Sequence, residues 1–174
     1  MEQVGYDTYC RLLDEVMKEM QGVEVEEEED IQIELNVSSY IPDEYILEAS
    51  QKIKIYQDIA LCRNEEDIQN VIDEVIDIYG EMPKELENLI QIARIKELSK
   101  RVGVTKIMQK MQGVVYYFQA DKFRMEVVDQ LVKQYRNKIK FSPGKDPYIT
   151  YKMQELSDER VLEEVKEFLK QIES

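Results

Sequence analysis

The residue pattern predicts an α+β fold, helices packed with a small mixed or antiparallel sheet, on the strength of three observations. Between residues 43 and 103 apolar side chains recur at three- and four-residue spacing. Beyond Gly103 the texture changes to short β-rich runs broken by turn residues, and the chain then closes on one more amphipathic segment. A length of 174 residues suits one ordinary domain with an appendage, or two small ones. Hydrophobic residues at 43% are enough for most of that length to fold.

The elements follow in order. Tyr6, Tyr9, Leu12, Leu13, Val16 and Met20 form one helical stripe that Gly22 can stop. The run from Glu24 to Asp30 holds six acids in seven positions, repels itself and reads as a solvated linker. Residues 1–23 are thus expected to be the tail of a preceding module, and residues 31–174 a separate domain. Ile31, Ile33, Leu35 and Val37 alternate with polar residues and predict a half-buried strand. After Pro42, Asp43 is the expected cap of a helix reaching Leu61, with Ile46, Ala49, Ile53, Tyr56 and Ala60 inward. Asn64 is a strong N-cap, and Glu65, Glu66 and Asp67 suit the positive end of a helix that runs to Tyr79 and stops at Gly80. Pro83 opens a third helix that Gly103 ends. Val104 to Met111 and Val114 to Phe118 read as strands turning at Gln112 and Gly113. Met125 to Tyr135 reads as a helix, Ile139 to Phe141 and Tyr148 to Tyr151 as strands around a Pro143-Gly144 loop, and Ser157 as the cap of the last helix.

Composition removes several kinds of chemistry. The chain has no histidine, so the commonest general base and metal ligand are missing. Its six glycines form neither a phosphate loop nor a dinucleotide fingerprint. Cys10 and Cys62 lie far apart and read as free thiols rather than a disulfide or a zinc site. The 37 acids leave a formal charge of −14, which disfavours phosphate contacts and suits solubility or a basic partner. Carboxylate pairs are too abundant to single one out for hydrolysis. The expectation is therefore a non-enzyme with no cofactor, no metal and no direct nucleic acid. Met1 to Val4 lacks the basic start of an export signal, and the expected location is the cytoplasm.

On spacing alone, Glu74 and Asp77 are the charged edge of an amphipathic helix and Tyr116 to Phe118 a core strand. A resemblance adds to this. The run Val4 to Leu13 resembles the segment closing the translocase module of transcription-repair coupling factors (Mfd proteins). Tyr40 to Ile46 resembles that family's entry into its C-terminal domain. Glu74 to Gly80, Met82-Pro83, Leu89 and Ala93-Arg94 resemble its characteristic helix pair, and Lys100 to Val104 the following turn. The likeness runs in order through most of the chain and fades to an outline after Gly113.

The resemblance implies a regulatory domain that packs on the N-terminal UvrA-binding module of the same parent protein. There it would mask that surface and restrain the ATP-driven DNA translocase until RNA polymerase is engaged. It also implies that Glu74 and Asp77 contact the partner module, whose arginines are natural counterparts. The alternative is a free-standing acidic protein that mimics nucleic acid and blocks a DNA-binding partner. The linker reading has a direct check: a glutamate-specific protease should cut first between residues 24 and 30, and protection of that run would refute it.

Overall fold

The computed structural model describes residues 31–173, and the predicted first helix, Cys10 and the 24–30 linker lie outside them. Among the described residues the fold is α+β, with five α-helices and one five-stranded mixed sheet. The described residues form two compact units, 38–94 and 31–37 with 95–173.

The first unit is helical. Helix α1 spans Ala49–Ala60, α2 spans Glu65–Tyr79, and the first half of α3, Lys84–Val102, completes it. The cap of α2 is the predicted one, and a second hydrogen bond just before it reinforces the turn. Asn64 accepts from the Asp67 backbone N–H at 2.8 Å, and Asp67 accepts from the Arg63 N–H at 2.9 Å. The start of α1 corrects the expectation at Asp43. The N–H groups of Tyr45 and Ile46 both turn back to the Pro42 carbonyl, Glu48 is extended, and the helix begins only at Ala49. Its buried stripe is Ile55 and Ile59, while Ile53 is 39% exposed and Ala49 is also exposed. The buried side of α1 is therefore offset from the predicted one, of which Ile46, now ahead of the helix, is buried and Tyr56 and Ala60 are half-buried. Leu86, Leu89, Ile90, Ala93, Ile95 and Leu98 of α3 are all buried, as their spacing predicts.

The second unit is built on the sheet, in the order β1-β2-β3-β5-β4. Strand β1 is Gln32–Glu34, β2 Val104–Lys110, β3 Gly113–Phe118, β4 Ile139–Ser142 and β5 Tyr148–Lys152. β1 joins β2 in parallel and every other pairing is antiparallel. The predicted strand 31–37 is shorter than its alternation suggests. Its ladder stops at Glu34, and the Asn36 N–H donates to the Gln109 side chain instead. Helix α4, Met125–Tyr135, has the predicted limits, and α5 spans Asp158–Glu173. Ser157 sits at the start of α5 and its carbonyl accepts from Val161, but its hydroxyl turns to Glu155.

The sheet's two faces differ. Ile107, Val114, Tyr116, Ile149 and Tyr151 point to the face covered by α4 and α5. Tyr116 packs on Phe168 with centroids 4.4 Å apart, and Tyr151 meets Phe168 at 5.4 Å and Tyr135 at 5.4 Å. Aromatic burial of this kind dominates the stability of a small core. Gly113 must be glycine for space, because a Cβ there would collide with the Tyr151 carbonyl across the strand pair. The other face carries mostly polar and half-exposed side chains around the buried Val115, with Tyr117 beside Tyr148 at 5.5 Å.

The aromatic core makes the second unit alkali-sensitive. Burial, chiefly, raises the phenols of Tyr116 and Tyr135, and it pushes Tyr151 up to about 12, with the Glu164 carboxylate adding to each. The unfolded chain ionises its tyrosines near 10. The resulting stability is fully present below pH 10 and is lost as pH rises through the folded values. Circular dichroism should therefore show the unit intact to about pH 10 and melting more easily above it. Tyr116→Phe removes a buried hydroxyl that has no hydrogen-bond partner among the described residues, and should not destabilise the unit.

Candidate functional site

Charge is unevenly distributed along the chain, although the second unit as a whole is nearly balanced, with 16 Lys and Arg against 13 Asp and Glu in residues 31–37 and 95–173. Residues 38–94 carry 5 Lys and Arg against 13 Asp and Glu, whereas residues 95–152 carry 13 against 5. The acidic surface on which Glu74 and Asp77 lie therefore belongs to the helical unit, and the whole-chain charge of −14 conceals a basic stretch.

Helix α2 presents Val71 and Val75 inward together with Ile68, all buried. One residue back from Val75, Glu74 lands on the flank and pairs with Lys54 of α1, Nζ to Oε1 at 3.0 Å. The Glu74 side chain keeps 42% of its surface exposed, so the pair is wet. The Glu74 hydrogen bond raises the Lys54 ammonium. Asp58 completes the group: burial raises its carboxyl, and Glu74 adds to the rise against the opposing pull of Lys54. Asp77 is on the outer ridge of α2, exposed, with no hydrogen bond or ion pair to the described residues. The two carboxylates are thus neighbours on one side of the helix, but only Asp77 is uncommitted. Glu74 would have to share or exchange Lys54 to engage another cation.

The end of α2 is held by features that spacing alone does not show. The Tyr45 hydroxyl donates to the Gly80 carbonyl at 2.6 Å, and the Tyr45 and Tyr79 rings meet at 5.8 Å. Tyr79 donates to Gln51 of α1 at 3.1 Å. Burial is the main cause that raises the Tyr45 phenol. Gly80 adopts φ 89°, a left-handed stop that favours glycine. Arg94 of α3 grips Glu65 at the start of α2 through two hydrogen bonds, at 2.6 and 3.1 Å. Between them these contacts fix α2 at both ends and set the direction in which its acids point.

Apolar side chains also reach the surface of this unit. Ile76 is 45% exposed, Ile78 58% and Leu47 83%. With Ile68, Val71 and Val75 as the inward stripe, 3.6-residue periodicity sends Ile76 to the flank, whereas Ile78 continues the stripe by spacing and is exposed in the last turn of α2. The surface around Glu74 and Asp77 is therefore acidic, with exposed Ile78 one turn on from Glu74. Among the described residues no group of three or more His, Cys, Asp or Glu is placed to hold a metal ion, and no helix is long and apolar enough to cross a membrane.

The second unit contains a cavity of about 330 Å³ with Phe118, Leu131 and Ile149 in its lining. Its polar lining, including Arg101, Lys122 and Arg124, is exposed, and Arg101 is tied to Glu173 at 3.1 Å.

Comparison with known proteins places this geometry. The model of a family described as the TRCF domain matches residues 35–127. A transcription-repair-coupling factor of Borreliella burgdorferi is 26% identical over 161 residues, covering 91% of this chain and 14% of that protein. One of Staphylococcus haemolyticus is 35% identical over 112 residues, 63% of this chain and 10% of that protein. The chain therefore spans only a small part of the length of these relatives. A crystal structure of the C-terminal domain of a transcription-repair coupling factor shares the fold, with a TM-score of 0.73 at 22% identity. That match covers 82% of this chain and 91% of that one.

The anchoring of α2 yields a prediction. Tyr45→Phe removes the hydroxyl bound to Gly80 and should cost about 0.5–1.5 kcal/mol of stability in urea unfolding. An unchanged midpoint would mean that the short Tyr45–Gly80 contact does not hold the helix end.

Proposed function

Because this chain belongs to the TRCF domain family, we propose that it is the autoinhibitory C-terminal region of a transcription-repair coupling factor. In this reading the helical unit closes on the N-terminal UvrA-binding module of the same parent protein. The closed form masks the UvrA surface and restrains an ATP-driven DNA translocase until RNA polymerase is engaged. The observation that supports it best is the acidic surface around α2, where Asp77 has no partner among the described residues and Glu74 has only a solvent-exposed one. Arginines of the partner module are the matching chemistry, since a guanidinium can take a carboxylate through two parallel bonds.

The energetics suit a switch. Exposed ion pairs contribute about 1 kcal/mol or less each, so a contact built from a few of them can open when a competing partner binds. The exposed Ile76 and Ile78 beside the carboxylates would add apolar area without making the closed state permanent. Regulation of this kind needs no catalytic group on this chain. The rival reading, an acidic mimic of nucleic acid, calls for carboxylates displayed over a long surface, whereas the basic excess in residues 95–152 breaks that display.

The test uses the full-length parent protein carrying Glu74→Ala and Asp77→Ala together. Both positions are solvent-facing on a helix, so alanine should leave the fold intact by circular dichroism. UvrA capture should rise by about 5- to 30-fold, the equivalent of one or two exposed pairs, and basal ATPase should rise with it. Lysine at both positions should have the larger effect. A folded double variant with UvrA capture still at the repressed level would make these two carboxylates ordinary solvated surface.

A further inference from the structure

The sheet face turned away from α4 and α5 has a composition that the net charge hides. By strand register, Lys106 and Lys110 of β2, Tyr117 of β3, Tyr148 and Lys152 of β5, and Lys140 of β4 all project from it. Lys110, Lys140 and Lys152 are exposed, Lys106 and both tyrosines are half-exposed, and between them the same register places half-exposed Met108 and Thr150 and the buried Val115. The acid that strand register adds to this face is Glu34 of β1, at the edge. Tyr117 and Tyr148 are cross-strand neighbours, their centroids 5.5 Å apart and their planes 40° apart. The Lys106 ammonium lies 5.9 Å from the Tyr117 ring centre.

We propose that this open face is a binding platform for single-stranded nucleic acid, with Tyr117 and Tyr148 as base-stacking surfaces and the four lysines as phosphate contacts. The face fits a single strand on three counts. Stacking needs bases free of a duplex, and two aromatic rings on adjacent strands of a flat surface offer that. Strands about 4.8 Å apart with side chains repeating every about 7 Å put the lysines within about two or three nucleotides of the tyrosine pair. The lysines surround the rings on β2, β4 and β5, so a backbone crossing the sheet meets positive charge on either side. An acidic polypeptide would satisfy the ammonium groups but leave the ring faces unused. A duplex would present phosphates to a face too small to follow its groove and would give the tyrosines nothing to stack on.

The chain's overall charge of −14 does not forbid this. At about 0.1 M salt the screening length is about 10 Å, so a strand on the sheet responds mainly to the charges beside it. Those belong to the stretch with 13 Lys and Arg against 5 Asp and Glu. The inference is independent of the autoinhibitory reading, which concerns the helical unit.

The experiment is fluorescence anisotropy of the 174-residue chain with labelled oligo(dT) and oligo(U), and with a duplex of equal length. Half-saturation is expected at about 1–100 μM in low salt, weakening by about 100-fold for a tenfold rise in salt if three lysines each meet a phosphate. Lys140→Glu with Lys152→Glu changes only exposed side chains and should abolish binding. Tyr148→Leu keeps apolar bulk without a ring face and should weaken binding at least about fivefold, with circular dichroism as the folding control. Three results would overturn the proposal: no single-strand binding at low salt, binding indifferent to the Tyr148 change, or equal capture of the duplex. Displacement of the oligonucleotide by polyglutamate at equal charge concentration would also overturn it, and would assign the face to an acidic polypeptide.

Discussion

The register of β3 between β2 and β5 constrains more of the second unit than any other single feature. Side chains alternate across a strand, so a slip of one residue would carry Tyr116 out of the core and drive Tyr117 into it. Tyr116 fills the space against Phe168, and Tyr117 stands with the lysines on the other side. Gly113 holds the strand in place, since the Tyr151 carbonyl occupies the volume that any side chain there would need. Core, open face and the pairing of Tyr117 with Tyr148 therefore all rest on one alignment.

In the helical unit the comparable constraint is the seating of α2. Its start is held by Asn64, Asp67 and the Arg94–Glu65 pair, and its end by Tyr45 on the Gly80 carbonyl. A helix fixed at both ends presents its outer residues in set directions, so the carboxylates of Glu74 and Asp77 keep a constant relation to each other. Their difference follows from the same seating. Glu74 faces Lys54 across the α1–α2 pair, whereas Asp77, one turn on and about 60° round the helix by the usual 100° per residue, lies on the outer, exposed ridge. A regulatory contact that must open gains from such an arrangement, because solvated carboxylates exchange partners at little cost.

Net charge turns out to be a poor guide to what a chain of this kind can touch. Averaging over all residues merges an acidic helical unit with a basic sheet stretch and hides both. The separation lets one chain meet a basic partner with its helices while the sheet presents the opposite sign, provided the local field rather than the total decides.

The sequence by itself determined the fold class, the limits of α4, the cap of α2 at Asn64, and the stops at Gly80 and Gly103. These are local: periodicity, capping chemistry and glycine's access to positive φ act within a few residues. The resemblance in residues 31–104 singled out Glu74 and Asp77 by pattern, but could not say that Lys54 already holds one of them. Tertiary structure alone decided the start of α1 at Ala49, because the turn onto Pro42 goes with Tyr45 reaching Gly80, a residue 35 positions away. It also decided that β1 ends at Glu34, since a strand is only as long as the ladder its neighbour offers. The lysines and tyrosines of the open face come from three separate strands, and no window of sequence contains them together. Contacts across long separations depend on which elements meet, and that is set by packing of the whole unit rather than by any segment's own preference.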